Sequence, residues 1–141
     1  MAGQTVSEIY CWQLQLGELN VHLASTEKGA LRIGLTLEAQ SDCISFFKPL
    51  FPENRLLRDS RPNGPLIQGV DAALWNCPVP YDMGVDFTCT KFQWLVMRAI
   101  TLIPFGETRS YGEVACMVGR PEGARAVGQA LGRNPLPVIF P

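Results

Sequence analysis

One stretch decides the fold of this 141-residue chain: SYGEVACMVGRPEGARAVGQALGRNP, residues 110–135. Ser110 followed three residues later by Glu113 has the Ser-x-x-Glu form of a capping box, which predicts a helix that begins here and ends at Gly119. After an Arg-Pro pair that turns the chain, a second helix is predicted over 122–132, closed by an Asn-Pro pair. Two helices joined by a tight turn are an arrangement that many proteins use to bind DNA.

A further helix is predicted just upstream of this pair. Thr90 and Gln93 repeat the capping-box spacing, and apolar residues then recur at helical intervals from Phe92 to Ile103. The sequence Pro104-Phe105-Gly106 stops the pattern. The last third of the chain is therefore predicted to be helical.

The N-terminal half is predicted to be a small antiparallel sheet. Apolar residues alternate with others over 10–16, 19–23 and 31–37, as in strands with one buried face. Only Gly17-Glu18 separates the first two segments, which predicts a two-residue hairpin turn. The remaining predicted elements are a short helix at 44–50, a loop at 52–65, a helix at 65–77 and a short strand at 85–87.

These elements predict a mixed α/β (α+β) fold with two domains, a sheet domain at 1–88 and a helix-turn-helix domain at 89–141. With 47% hydrophobic and 18% charged residues, the chain has the composition of a soluble globular protein. No apolar run approaches the roughly 20 residues needed to cross a bilayer, and no signal peptide opens the sequence. We expect a cytoplasmic protein, associated with the nucleoid if bacterial, without a membrane partner.

The cysteines and charges exclude several kinds of site. Five cysteines are odd in number and lack Cys-x-x-Cys spacing, so neither a disulfide framework nor a zinc site is expected, and we predict reduced, mostly buried thiols. Net charge is −1, and residues 104–141 carry four Arg against three Glu, a slight basic excess. Any contact with nucleic acid should therefore be small in footprint.

Glycines in the second helix of the pair point to a close neighbour. Gly123, Gly128 and Gly132 fall within the predicted helix, and each should cost roughly 1 kcal/mol relative to alanine in a helix interior. On a helical wheel Gly128 lies near Arg125, away from the predicted buried seam of Ala124, Val127 and Leu131. A smooth face with one long cation suits the narrow minor groove. Tight packing against another segment of the same chain explains the glycines equally well.

Several strings of residues resemble a known family, the O6-alkylguanine-DNA alkyltransferases, also called methylated-DNA–protein-cysteine methyltransferases. The matching strings, in family order and spacing, are Phe92-Gln93, Ile103-Pro104-Phe105-Gly106-Glu107-Thr108, Ser110-Tyr111-Gly112, Ala124-Arg125-Ala126-Val127-Gly128, Asn134-Pro135 and Val138-Ile139-Phe140-Pro141. The N-terminal sheet resembles the family's ribonuclease-H-like domain in layout. The resemblance implies a winged-type helix-turn-helix that binds double-stranded DNA containing O6-alkylguanine in the minor groove and flips the damaged nucleotide out.

The resemblance also implies roles for particular residues. Arg125 would enter the stack in place of the flipped guanine, since its planar guanidinium can stack and donate hydrogen bonds. Tyr111, with Gly112 beside it, would press against the 3′ phosphate, although an aromatic ring packed beside a helix cap is the structural alternative. Ala126 and Gly128 would form the smooth contact face. Asn134 would tie the turn between the recognition helix and the active-site strand through its side chain.

The family's reactive element is Pro-Cys-His-Arg after an apolar strand. By resemblance the strand is Val138-Ile139-Phe140, the proline is Pro141, and the nucleophile is expected directly after it, so the chain as given is predicted to lack a catalytic residue. Cys116 stands at a position that the family treats as structural. His22, the only histidine, alternates with apolar strand residues and is predicted to face solvent.

We therefore predict a DNA-repair protein that acts as a monomer, needs no cofactor or metal, and transfers one alkyl group per molecule to a cysteine. A damage sensor that binds the lesion without repairing it is the alternative, in which another residue replaces that cysteine. A transcription regulator that reads the major groove is poorly supported, because the second helix offers only Arg125 and Gln129 as base-reading side chains. Met97, where the family usually has tryptophan, departs from the pattern without altering this interpretation.

Overall fold

The computed structural model describes residues Ser7–Glu38 and Ser41–Pro141, which divide into two compact units between Phe87 and Thr88. The first unit carries a four-stranded sheet and two helices, and the second carries three helices. The predicted mixed fold class is thereby confirmed. No helix in the described ranges is long and apolar enough to span a membrane.

The sheet of the first unit has the order β3-β2-β1-β4. Its strands are β1 (Glu8–Leu16), β2 (Leu19–Thr26), β3 (Gly29–Thr36) and β4 (Arg55–Arg58). The first three pair antiparallel as predicted, and Gly17 opens the β1–β2 turn with a φ of 62°, which a type II′ hairpin requires at that position. The fourth strand lies in the segment predicted to be a loop and pairs parallel to β1, so the sheet is mixed.

Two further predictions about the first unit need correction. The expected strand at 85–87 is reduced to one parallel bridge between Ala30 and Val85. The predicted buried face of β1 is also wrong, because Ile9 and Cys11 are buried while Trp12 and its alternating partners are only half-buried. Alternation alone could not identify this face, since both sides of β1 carry apolar side chains.

His22 lies in the core, not at the surface as the sequence predicted. Helix α1 (Cys43–Phe47) covers this part of the sheet, and the ring of Phe46 stacks on the His22 ring at 4.4 Å between centroids. The His22 side chain is fully buried, and its Nε2 lies 3.1 Å from Ser41 Oγ. Burial lowers the pKa of His22, because a charged imidazole would lose its hydration, while nearby Asp42 opposes the shift.

Gly34 makes this stack possible. It pairs with His22 across β2 and β3, and a Cβ built on Gly34 would overlap the ring of Phe46. Residues Arg61–Asn63 then form a 3₁₀ helix that leads into α2 (Gly64–Leu74). Buried Asn63 donates from Nδ2 to the carbonyls of Tyr10 and Asp59, which joins this segment to β1.

The second unit consists of α3 (Lys91–Ile100), α4 (Tyr111–Met117) and α5 (Ala124–Gly132). Both predicted capping boxes are present, with side-chain and backbone hydrogen bonds exchanged between Thr90 and Gln93 and between Ser110 and Glu113. The helices bury one another through an apolar set from all three, including Val96, Met97, Ala99, Ile100, Val114, Ala115, Val127 and Ala130. Of the predicted seam of α5, Val127 is buried, but Ala124 and Leu131 are only half-buried, and Ala130 is buried instead.

Candidate nucleic-acid interface

Helices α4 and α5 form the predicted helix-turn-helix. The end of α4 is a Schellman motif: Gly119 has a φ of 78°, its N–H binds the carbonyl of Cys116, and the N–H of Arg120 binds that of Ala115. Arg120 also lies over the ring of Phe92, 5.4 Å from its centroid, which connects the turn to α3. The Schellman motif therefore fixes where α4 ends.

Tyr111 and Gly128 lie against each other across the two helices. A Cβ built on Gly128 would lie 3.0 Å from Cε2 and 3.1 Å from Cδ2 of the Tyr111 ring. The ring is nevertheless 55% exposed, so its outer edge faces solvent. The structure thus supports the alternative of internal packing for this glycine, because the close neighbour is a side chain of the same unit.

The other two glycines lie at the ends of α5. Gly123 is the residue before the helix, where its Cβ would lie 3.0 Å from the carbonyl oxygen of Arg120. Gly132 is the last helical residue, and nothing lies within 4 Å of its Cβ position. The prediction that all three glycines lie in the helix interior is therefore wrong, and only Gly128 carries the interior cost.

Arg125 and Ala126 are exposed on α5. The next residue, Val127, is buried. Arg125 precedes Gly128 by three residues, a spacing that places both on one helical face with Cβ positions about 5–6 Å apart. The Tyr111 ring therefore packs on α5 at Gly128, one turn along the helix from exposed Arg125. Gly112 is half-buried in the first turn of α4, and a Cβ there would meet only Ser110 Oγ at 3.8 Å.

Asn134 lies beyond α5, in a turn that the sequence predicted to lead into a strand. Its Nδ2 donates to the carbonyl of Phe140 at 2.7 Å, and its Oδ1 accepts from the N–H of Leu136 at 3.0 Å. The Phe140 N–H in turn donates to the Leu136 carbonyl. The predicted strand at 138–140 is wrong, because these bonds close a compact turn instead.

Val138 lies inside this turn with a φ of 77°, a conformation that is strained for a β-branched residue. Such strain persists only where the surroundings hold the backbone, and here the side chain of Asn134 spans it. Leu136, Ile139 and Phe140 are buried beside it, and Phe140 contacts Trp94 at 6.0 Å between ring centroids. The C-terminal end of the chain is therefore anchored by both hydrogen bonds and apolar packing.

The two units differ in charge. Residues 88–141 carry six Lys and Arg against three Glu, whereas residues 1–87 carry six against ten acidic residues. One of the six, Arg109, forms a 2.8 Å ion pair with Glu107 at the surface. The unit that holds the helix-turn-helix is thus basic, which favours contact with phosphates.

The cysteines are spread over both units of the described structure. Cys116 is exposed on α4 and Cys89 precedes α3, where partial burial raises the pKa of the Cys89 thiol. Cys11 and Cys43 are buried together in the first unit; their hydrogen bond raises the pKa of Cys11 and lowers that of Cys43. Because three of the five thiols are exposed, the prediction of mostly buried cysteines is wrong. Among the described residues, no group of three or more His, Cys, Asp or Glu side chains could hold a metal.

Comparison with known proteins shows similarity to the DNA methyltransferases that act on methylated DNA. Residues 91–141 match the family profile described as "6-O-methylguanine DNA methyltransferase, DNA binding domain". The inducible methylated-DNA–protein-cysteine methyltransferase of Bacillus subtilis (strain 168) is 29% identical over 133 residues, which cover 94% of this chain and 74% of that protein. The methylated-DNA–protein-cysteine methyltransferase of Mycobacterium tuberculosis (strain ATCC 25618 / H37Rv) is 51% identical over 61 residues, 43% of this chain and 37% of the relative.

Solved structures show the same similarity. The crystal structure of the Mycobacterium tuberculosis O6-methylguanine methyltransferase has a TM-score of 0.68 at 29% identity, covering 94% of this chain and 75% of that one. A structure of the Mycobacterium tuberculosis OGT in complex with DNA has a TM-score of 0.63 at 29% identity, covering 95% of this chain and 74% of that one. The resemblance inferred from the sequence is thereby confirmed.

Sequence reasoning missed two features of the site. It placed Tyr111 and Gly128 separately against DNA and did not see that they contact each other. A single interior glycine and an aromatic first residue on the preceding helix were the available signal. It also missed the positive φ of Val138, for which a valine gives no warning.

Proposed function

From the premise that residues 91–141 carry the DNA-binding domain of the O6-methylguanine DNA methyltransferases, we propose that this protein acts in DNA repair by direct reversal of O6-alkylguanine. It binds duplex DNA through α4 and α5, acts as a monomer, and turns the alkylated guanine out of the stack. Base extrusion is required because the alkyl carbon is inaccessible inside an intact duplex.

The observation that carries the proposal is that two exposed residues flank Gly128: Arg125 lies three residues before it on α5, and the Tyr111 ring lies against it. A guanidinium can fill the gap left by a flipped base, since it is planar and donates in several directions. Tyr111 is half-exposed while one side of its ring contacts α5 at Gly128, so the phenol can press on a backbone phosphate and keep that contact. Small Ala126 leaves room for close approach of the groove.

The chemical step requires a thiolate, which the family pattern places directly after Pro141. Its sulfur attacks the alkyl carbon, and the sulfur–carbon bond forms as the carbon–O6 bond breaks. The electron pair of the broken bond stays with the guanine, and a proton neutralises the resulting negative charge and restores guanine. We propose that the five thiols of the 141-residue chain do not perform this step, because none stands in the Pro-Cys-His-Arg context. If the source gene encodes Cys-His-Arg after Pro141, the damage-sensor alternative fails; if it encodes tryptophan there, alkyl transfer fails.

The binding proposal is tested with Arg125→Ala on a duplex containing O6-methylguanine and on the same strand unpaired. We expect about a 10- to 100-fold loss of affinity for the duplex by fluorescence anisotropy, and a much smaller loss for the single strand, which has no gap to fill. Arg133→Ala is the matched control, because it removes the same charge from the exposed end of α5. Equal losses on duplex and single strand, or equal losses in the two variants, would contradict the intercalating role of Arg125.

A further inference from the structure

Gly128 is the one glycine inside α5 whose missing side chain is occupied by a neighbour. The Tyr111 ring fills that space, with Cε2 and Cδ2 at 3.0 and 3.1 Å from the Cβ position and Cζ at 3.8 Å. Contacts of 3.0–3.1 Å are tighter than nearly all that Cβ atoms make, so a methyl group at 128 would displace the ring by a few tenths of an ångström. At Gly132, one turn later on the same face, nothing lies within 4 Å.

The backbone on both sides of the contact is fixed. Tyr111 is the first residue of α4, directly after Ser110, whose hydroxyl accepts from the N–H of Glu113 while Glu113 Oε2 accepts from the Ser110 N–H. On the other side, buried Val127 and Ala130 hold α5 against the rest of the unit. The remaining freedom of Tyr111 lies in its side-chain torsions, and the contact with α5 limits them.

We propose that Gly128 is a positioning residue for Tyr111. Glycine is a poor helix former, and its presence here leaves room for the phenol ring against α5 at position 128, three residues after Arg125. The inference rests on the proposed function, in which Tyr111 and Arg125 act on the same nucleotide. It assigns Gly128 an effect on DNA through Tyr111, in place of the direct contact with the groove that the glycine pattern alone predicted.

The two roles of Gly128 differ in one measurable way. If Gly128 touches the groove itself, alanine at 128 weakens DNA binding whatever residue stands at 111. If Gly128 acts through the tyrosine ring, the effect of alanine disappears once the ring is removed. A double-mutant cycle between positions 111 and 128 separates these cases.

The experiment measures the affinity of the full chain for an O6-methylguanine duplex in wild type, Gly128→Ala, Tyr111→Ala and the double variant. We expect Gly128→Ala to weaken binding about three- to tenfold when Tyr111 is present and less than about twofold when it is Ala. Tyr111→Phe keeps the ring and should keep the full effect of Gly128→Ala. Gly132→Ala is the matched control and should bind like wild type, because its new methyl group meets nothing.

Urea unfolding of the same variants gives a second readout that does not depend on DNA. Gly128→Ala should lower the unfolding midpoint when Tyr111 is present and raise it or leave it unchanged in the Tyr111→Ala background, where only the better helix propensity of alanine remains. The positioning role is overturned if Gly128→Ala weakens DNA binding equally in both backgrounds, or if it causes no loss when Tyr111 is present. If the wild type itself shows no affinity for the duplex, the proposed function fails. In that case the urea midpoints still test the positioning role, which is overturned if the shifts caused by Gly128→Ala and Tyr111→Ala simply add in the double variant.

Discussion

Replacement of Asn134 by alanine should destabilise the second unit by about 2–3 kcal/mol. The asparagine side chain makes two hydrogen bonds across the turn, one to the Phe140 carbonyl and one from the Leu136 N–H. Leu136 is fully buried and Phe140 is 5% exposed, so water does not readily replace the lost partners. Each such bond contributes about 1 kcal/mol net, and each buried polar group left without its partner costs about 1–3 kcal/mol.

The strain at Val138 reduces this loss. A β-branched residue at a φ of 77° costs about 1–3 kcal/mol, and the turn can recover part of that energy once the Asn134 side chain no longer holds it. Asn134→Ala therefore lowers the free energy of unfolding by more than one hydrogen bond contributes, but by less than the sum of both lost bonds and both unpaired groups. Val138→Gly should be nearly neutral in wild type, because the strain relieved is offset by lost packing and by the greater freedom of the unfolded chain.

Trp94 provides the assay, because its ring lies 6.0 Å from that of Phe140 at the anchored end of the turn. In a Trp12→Phe, Trp75→Phe background, Trp94 is the remaining tryptophan of the chain, and its fluorescence reports urea unfolding of the second unit. Asn134→Asp separates the two bonds, since it keeps an acceptor for Leu136 but loses the donor to Phe140. A free energy of unfolding for Asn134→Ala within about 0.5 kcal/mol of the wild-type value would refute the reasoning, because substitutions of ordinary surface residues cause changes of that size.

The remaining predictions concern the first unit. Gly34→Ala should destabilise this unit by about 1–3 kcal/mol, because the new methyl group overlaps the Phe46 ring. Gly64→Ala is the control and should not destabilise it, because the new Cβ meets nothing within 4 Å. Equal unfolding midpoints of the two variants in urea would contradict this prediction. Because burial lowers the pKa of His22 in the folded state, the unfolded chain binds the proton more tightly, so stability is full above about pH 6.5 and falls as pH drops below it. His22→Gln, which does not titrate, should flatten the unfolding free energy between pH 7 and about pH 5, and an unchanged slope would count against burial of a neutral imidazole.

Features set by neighbouring residues could be predicted from the sequence. Both capping boxes, the hairpin turn at Gly17 and the helix end at Gly119 depend on residues within a few positions of one another. They were predicted correctly because the hydrogen bonds that define them are local. The strings that carry the family resemblance lie in the same C-terminal part of the chain, and the profile match covers that part.

Features set by distant partners could not be predicted. His22 stands between apolar residues of a strand, as a surface residue would, and it is buried because α1 packs on this part of the sheet. The strand β4 lies in a segment rich in Arg and Pro, and it forms because β1 offers a free edge. The turn at Val138 depends on a hydrogen bond between residues 134 and 140, which no pattern of apolar residues indicates.

The glycines of the chain illustrate the limit most directly. The cost of glycine in regular structure indicates that something approaches the backbone closely, but not what approaches it. At Gly34 and at Gly128 the neighbour is an aromatic ring from an adjacent element of the same unit, Phe46 of the following helix in one case and Tyr111 of the preceding helix in the other. The outward surface of α5 at Gly128 is therefore the edge of a phenol ring and not bare backbone. A groove that meets this turn meets the tyrosine beside the helix, whereas exposed Arg125, Ala126 and Gln129 present α5 itself.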